Sequence, residues 1–337
     1  MRIAVVLLCG ALSTFAQKPQ LDFLNHDRPV LDAHNCYPYE GRYADRIERA
    51  LGTGFPVAVE QDIAWAVDPV THQGRPVVSH TAKTTGAEPT LRDHFFERVR
   101  PIVEKALAQG DRASWPLIVL HFDFKSLEPK LLQSVWDLLG EYQAWIVTAP
   151  QTSDPRELAP LDPKPVLVLT EDADEQEGVF FRRLPAAARL RVFGSAHTTP
   201  IAGSRRRQVH LAATLPPDLL LREQPTNYRR WWNCSWYEVE EGGQPHAGGW
   251  TSADAERLQT LVDYAHQLGF WIRFYTLDGF SASENRGWDS GYNFGSHPAV
   301  AARWKAAVES GVNLIATDQY EELAAFLQSG EASRGQK

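Results

Sequence analysis

The stretch SADAERLQTLVDYAHQLGFWIRFYTLD (252–278) decides the fold. Its first part reads as a helix over 252–269 that opens at Ser252, has Glu256 nearby and closes on Gly269. A strand, FWIRFYTLD (270–278), follows at once. Glycine at the helix end is what a tight helix-to-strand turn favours, because it enters the left-handed region without a Cβ clash. The next unit repeats the pattern: PAVAARWKAAVESG (298–311) ends in Gly311 and leads into VNLIATD (312–318).

The same alternation runs back toward the N-terminus. Strands are predicted at PVLDAH (29–34), PVAVEQDI (56–63), PLIVLHFDF (116–124), PVLVLT (165–170), LRVFGSA (190–196) and YRRWWNC (228–234), with helices at 91–110 and 129–142 among them. EYQAWIVTA (141–149) also reads as a strand and competes for the fourth place. Strands that are apolar on both faces, alternating with helices, are the signature of parallel βα units. Eight such strands predict an α/β chain folded as a closed (β/α)8 TIM-type barrel, with extended loops at its C-terminal face over 235–250 and 279–297.

The first residues read as processing sequence. A basic start, the apolar run AVVLLCGALST and small residues up to Ala16 predict a signal peptide over 1–16 and a secreted or periplasmic product. Leu8 before Cys9 argues against a lipoprotein, where a small residue is expected. A single catalytic barrel domain is expected over 17–330, with 331–337 as a frayed C-terminus. Export permits a disulfide between Cys36 and Cys234 and leaves their pairing open. The net charge of −8 disfavours a nucleic-acid partner. A monomer is the expectation.

Polar residues collect at the predicted strand ends, which in such a barrel meet in one funnel. Glu60 and Asp62 are two apart on one strand and therefore point the same way. Inward carboxylates repel unless something positive lies between them, and a hard divalent cation answers this economically. Asp123 supplies a third carboxylate, with Lys125 two residues on and His121 deeper on the same face in a supporting role. The bland reading of this cluster is a set of ion pairs with Arg or Lys. His34, at the end of the first strand, and His80, in RPVVSHTA, add imidazoles that can give or take protons near neutrality.

The ordered set His34, Glu60-x-Asp62, His80, Asp123-x-Lys125 and the Thr317-Asp318 ending resembles the phospholipase C-like phosphodiesterase superfamily. It is closest to the glycerophosphodiester phosphodiesterases, and its Asp-x-Lys motif is like that of sphingomyelinase D. It departs from the common His-Arg-Gly start, since Asn35 and Cys36 follow the histidine. The resemblance implies one Mg²⁺ or Ca²⁺ on Glu60, Asp62 and Asp123, with His34, His80 and Lys125 catalytic. It implies hydrolysis of a phosphodiester small molecule or a phospholipid, the latter with transient contact at a membrane surface. The acid and base roles of the two histidines stay open. Asn35, Tyr37, Trp232, Trp271 and Tyr275 are the expected substrate contacts. Phosphatidylinositol-type and sphingomyelinase D-like phospholipases are alternative activities. A barrel glycosidase and a noncatalytic binding barrel are alternatives of other classes.

Overall fold

The computed structural model describes Leu24 and residues 28–39, 42–68, 70–281, 283–284 and 290–334. The predicted leader over 1–16 and residues 335–337 lie outside the described residues. Eight parallel strands form the barrel: β1 Val30–Ala33, β2 Val57–Val67, β3 Ile118–Phe124, β4 Val166–Thr170, β5 Phe193–Ser195, β6 Arg229–Ser235, β7 Trp271–Tyr275 and β8 Leu314–Thr317. Each pairs with its successor, and β1 pairs with both β2 and β8, which closes the sheet. All eight expected strands occur. The competing run 141–149 contributes a 3-10 turn, Gln143–Trp145, and the two-residue strand Ala149–Pro150, which pairs with Arg189–Leu190 outside the barrel.

Helices cover the outside: α1 Arg46–Gly52, α2 Glu97–Gln109, α3 Pro129–Glu141, α4 Arg205–Thr214, α5 Ser252–Leu268, α6 His297–Ser310 and α7 Tyr320–Arg334, with shorter turns between. No described helix is long and apolar enough to cross a membrane. The expected glycine endings occur, with Gly269 at φ 98° and Gly311 at φ 83°. α5 starts at Ser252, as expected. Its cap is Thr251, whose side chain accepts from the Asp254 amide while the Asp254 carboxylate accepts from the Thr251 amide. The reciprocal pair satisfies two amides at the start of the helix.

Two local devices position the mouth. β2 runs on past the barrel to Val67 and turns back into Gly74–Val78, an antiparallel hairpin in which Ile63 faces Val78. The return leg ends with the Ser79 amide donating to the Asp62 carbonyl at 2.9 Å, so His80 arrives beside Asp62. Gly74 is required there. A Cβ on it would lie 2.0 Å from the Trp65 ring that packs across the hairpin.

The second device is Gln61, which points outward between the inward Glu60 and Asp62. Its amide nitrogen donates to the carbonyls of Cys36, at 2.5 Å, and Glu60, at 2.6 Å. Its oxygen accepts from His94 Nδ1 at 2.7 Å. This fixes the backbone just after His34 against β2. Burial, with Arg98 adding to it, lowers the His94 pKa from 6.5 to about 3. A group depressed on folding stabilises the native state above its unfolded pKa and withdraws that stability as pH falls. The expected cost is about 1.4 kcal/mol per pH unit between about 6.5 and about 3. Urea unfolding of wild type and His94→Leu at pH 7, 5.5 and 4.5 should therefore show the difference moving in favour of the variant as pH falls. A difference independent of pH would contradict the assignment.

Candidate active site

The strand period puts Asp32 of β1, Glu60 of β2, His121 of β3, Asn233 of β6 and Arg273 of β7 inside the barrel. Arg273 joins them. Its Nε donates to Asp32, one terminal nitrogen donates to Glu60 Oε2 at 2.9 Å, and the other to Asn233 Oδ1 at 3.0 Å. Burial alone would lower the Arg273 pKa, but Asp32 and Glu60 raise it above the usual arginine value. Asn233, oriented by Arg273, donates to both oxygens of Glu171 at 3.0 Å. His121 Nε2 lies 2.8 Å from Glu171 Oε1. Burial and Arg273 would lower the His121 pKa, but Glu171 and Glu60 raise it.

Above this layer lies a second one. Asp62 Oδ2 meets three partners: the Tyr37 hydroxyl at 2.6 Å, His80 Nδ1 at 2.9 Å and Lys125 Nζ at 2.8 Å. Lys125 also donates to Asp123 Oδ2 at 2.7 Å, and its own amide is held by the Ile63 carbonyl at 2.8 Å. Burial would lower the Lys125 pKa, but Asp62 and Asp123 raise it. Glu60, Asp62 and Asp123 each offer one oxygen within 4.8 Å of the others. Asp62 Oδ1 is buried without a hydrogen-bond partner. A buried carboxylate oxygen without a donor is costly, and a hard cation among three carboxylates would satisfy it. The donor set therefore fits the Mg²⁺ or Ca²⁺ expected from the sequence.

His34 follows β1 directly. Its Nδ1 lies 2.8 Å from Asn35 Nδ2 and 3.4 Å from Asp318 Oδ1. Asn35 is in the left-handed region, at φ 53°, which asparagine tolerates better than most residues. Arg46 of α1 holds this turn, donating to the Asn35 carbonyl at 2.9 Å and to Asp318 at 3.0 Å. Asp278 lies alongside, accepting from the Thr317 hydroxyl and the Asp318 amide at 2.7 Å each. Burial would lower the His34 pKa, but the charges of Glu60, Asp318 and Asp278 raise it from 6.5 to about 9.

The expected residues thus divide. His34, Asn35, Tyr37, Glu60, Asp62, His80, Asp123 and Lys125 come together at one mouth. Tyr275 is half-buried at the end of β7, near Tyr292 at 6.3 Å between ring centroids. Trp232 and Trp271 require correction. Trp232 is fully buried on the outward side of β6, opposite Trp231 and Asn233. Trp271 is 1% exposed, two residues below Arg273 on β7. Both serve core packing and offer no surface to a substrate. Cys36 and Cys234 are free, buried thiols. Arg46, Asn233, Arg273 and Asp278 were missed in the sequence, as was Asp32. The available signal was a charge inside an apolar strand at the inward parity, as in WIRFY and VLDA.

A separate group near the ends of β4 and β5, Asp174, Glu177 and His197, also gathers potential ligand atoms. Arg229 already occupies it, 2.6 Å from Glu177 and 2.7 Å from His197 Nε2.

No family model and no curated protein matches the chain. Among solved structures, it is similar to a glycerophosphoryl diester phosphodiesterase from Parabacteroides distasonis, at 14% identity over 93% of both chains and a TM-score of 0.40. A glycerophosphodiester phosphodiesterase from the same organism matches at 13% identity over 90% of this chain and 99% of that one, with a TM-score of 0.44. A wild-type HPPK-DHPS from Plasmodium falciparum matches at 10% identity over 91% of this chain and 48% of that one, also with a TM-score of 0.44.

The buried arginine carries a direct expectation. Arg273→Leu leaves Asp32 and Glu60 without their cation, and removing one member of a buried pair costs about 3–5 kcal/mol. Equilibrium urea unfolding should register a loss of that order, and a loss below about 1 kcal/mol would contradict the assigned role.

Proposed function

We propose that this chain is a metal-dependent phosphodiesterase that acts on a glycerophosphodiester or a phospholipid-type head group by histidine acid–base catalysis. The observation that carries the reading is the meeting of three carboxylates, Lys125 and two differently partnered histidines at one barrel mouth. The ordered motif set that resembles the phospholipase C-like superfamily supports it. Export, and Mg²⁺ in preference to Ca²⁺, belong to the same reading. So does transient contact with a membrane surface when the substrate is a phospholipid.

Glu60, Asp62 and Asp123 would hold the ion. When bound, it supplies Lewis-acid stabilisation of charge on the phosphoryl oxygens. Lys125 adds a fixed positive charge on the same side. The hydrogen bonds suggest a division of labour. Asp318 Oδ1 lies 3.4 Å from His34 Nδ1, so in the imidazolium form Nδ1–H faces Asp318 and Nε2–H is the proton that His34 can give. His34, with its raised pKa, is then the acid that protonates the leaving oxygen. His80 Nδ1 donates to Asp62, which makes Nε2 the basic atom that takes a proton from the attacking hydroxyl or water.

Steady-state hydrolysis of glycerophosphodiesters, followed with excess Mg²⁺ and again after chelation, tests the reading. Activity should vanish with chelation and return with the metal. His34→Ala and His80→Ala should each lower kcat by about 10²–10⁴-fold in folded, metal-loaded protein. A diester with a low-pKa leaving group such as 4-nitrophenol should rescue His34→Ala more than His80→Ala. Full activity after chelation, or near-normal turnover by His80→Ala, would overturn it.

A further inference from the structure

Glu171 lies at the same mouth and has no part in the mechanism above. It follows β4 and is held unusually firmly for a residue at a strand end. Asn233 donates to both of its oxygens at 3.0 Å, and His121 Nε2 sits 2.8 Å from Oε1. Asn233 is itself oriented by Arg273 at 3.0 Å, and Arg273 is fixed by Asp32 and Glu60. The side chain is nevertheless 28% exposed, whereas His121 beneath it is 2% exposed. A carboxylate fixed from below by two donors and open above is a preorganised acceptor. Its second oxygen accepts from Asn233 and, with two lone pairs, keeps capacity for a further donor. Tyr275, at the end of β7, is half-buried beside Tyr292. Tyr292 also meets the His34 ring edge-on at 5.6 Å. Through His121 and Asn233, Glu171 is tied to the layer that also holds Glu60.

We propose that Glu171 is a specificity-determining residue that accepts a hydrogen bond from an O–H or N–H group on the alcohol portion of the substrate diester. The inference rests on the phosphodiesterase reading. Polar sites built this way reject analogues that lack the matching donor, because the buried polar groups are then left unpaired. Hydroxylated alcohols, as in glycerol, and amino alcohols share this chemistry. A quaternary ammonium carries charge but no N–H donor.

The test uses the full chain with Mg²⁺ and symmetric diesters, so that either alcohol can occupy the subsite. Hydrolysis of bis(2-hydroxyethyl), bis(2-aminoethyl) and bis(2-methoxyethyl) phosphate is followed by ³¹P NMR for wild type and Glu171→Gln. Wild type should prefer a donor-bearing diester to the methoxy analogue by at least about tenfold in kcat/KM. The hydroxyethyl and aminoethyl arms separate the two donor sources. Glu171→Gln should lose that preference, while its rate on the methoxy diester stays within about twofold of wild type, which also reports an intact fold. An unchanged preference in the variant, or an equal loss on all three diesters, overturns the assignment. Absence of hydrolysis of every diester by wild type would instead remove the phosphodiesterase reading, and this inference with it.

Discussion

The barrel mouth depends on one buried guanidinium. Arg273 of β7 reaches Asp32 and Glu60, carboxylates of the paired strands β1 and β2 that lie 241 and 213 positions away in sequence. Two carboxylates share one cation in this layer, and two more, Asp62 and Asp123, share Lys125 in the layer above. Burial raises the Glu60 pKa even with His34, Arg273 and His121 opposing it. A divalent cation among Glu60, Asp62 and Asp123 would satisfy Asp62 Oδ1, which among the described residues has no hydrogen-bond partner.

Around that site the two histidines are delivered by different routes. His34 follows β1 and is held by a local turn, in which Asn35 adopts a left-handed conformation, Arg46 ties the turn to Asp318 and Tyr320 reaches the His34 carbonyl. His80 arrives on a hairpin that extends β2 beyond the barrel, so its position is set by strand register and by the packing of Trp65 over Gly74. Their surroundings differ accordingly. The His34 side chain is 11% exposed among acidic groups, while that of His80 is 41% exposed and anchored by Nδ1 to Asp62. Two imidazoles with unlike environments are what divided acid and base duties require.

Much of this was legible in the sequence because it is periodic. Alternating helical and apolar runs gave eight strands, and a period of two placed Glu60 with Asp62 and Asp123 with Lys125. What periodicity lacks is the sign of the face. Trp232 and Trp271 both read as pocket aromatics, yet one points at the helices and the other lies below the arginine layer. Charge pairing was equally hidden. Arg273 and Asp32 are separated by 241 positions, so only barrel closure reveals that the arginine in WIRFY answers the aspartate in VLDA. The position of His80 required the hairpin register, which in turn depended on a glycine under a tryptophan.

The proposed function places one divalent cation on Glu60, Asp62 and Asp123, whose carboxylate oxygens converge at the mouth. Crystals soaked in Mn²⁺, a scattering substitute for Mg²⁺, would test it by anomalous difference density. The account predicts a single strong peak among these three carboxylates, lost in Asp62→Asn. Density confined to Asp174, Glu177 and His197, or no peak at the mouth at millimolar Mn²⁺, would contradict it.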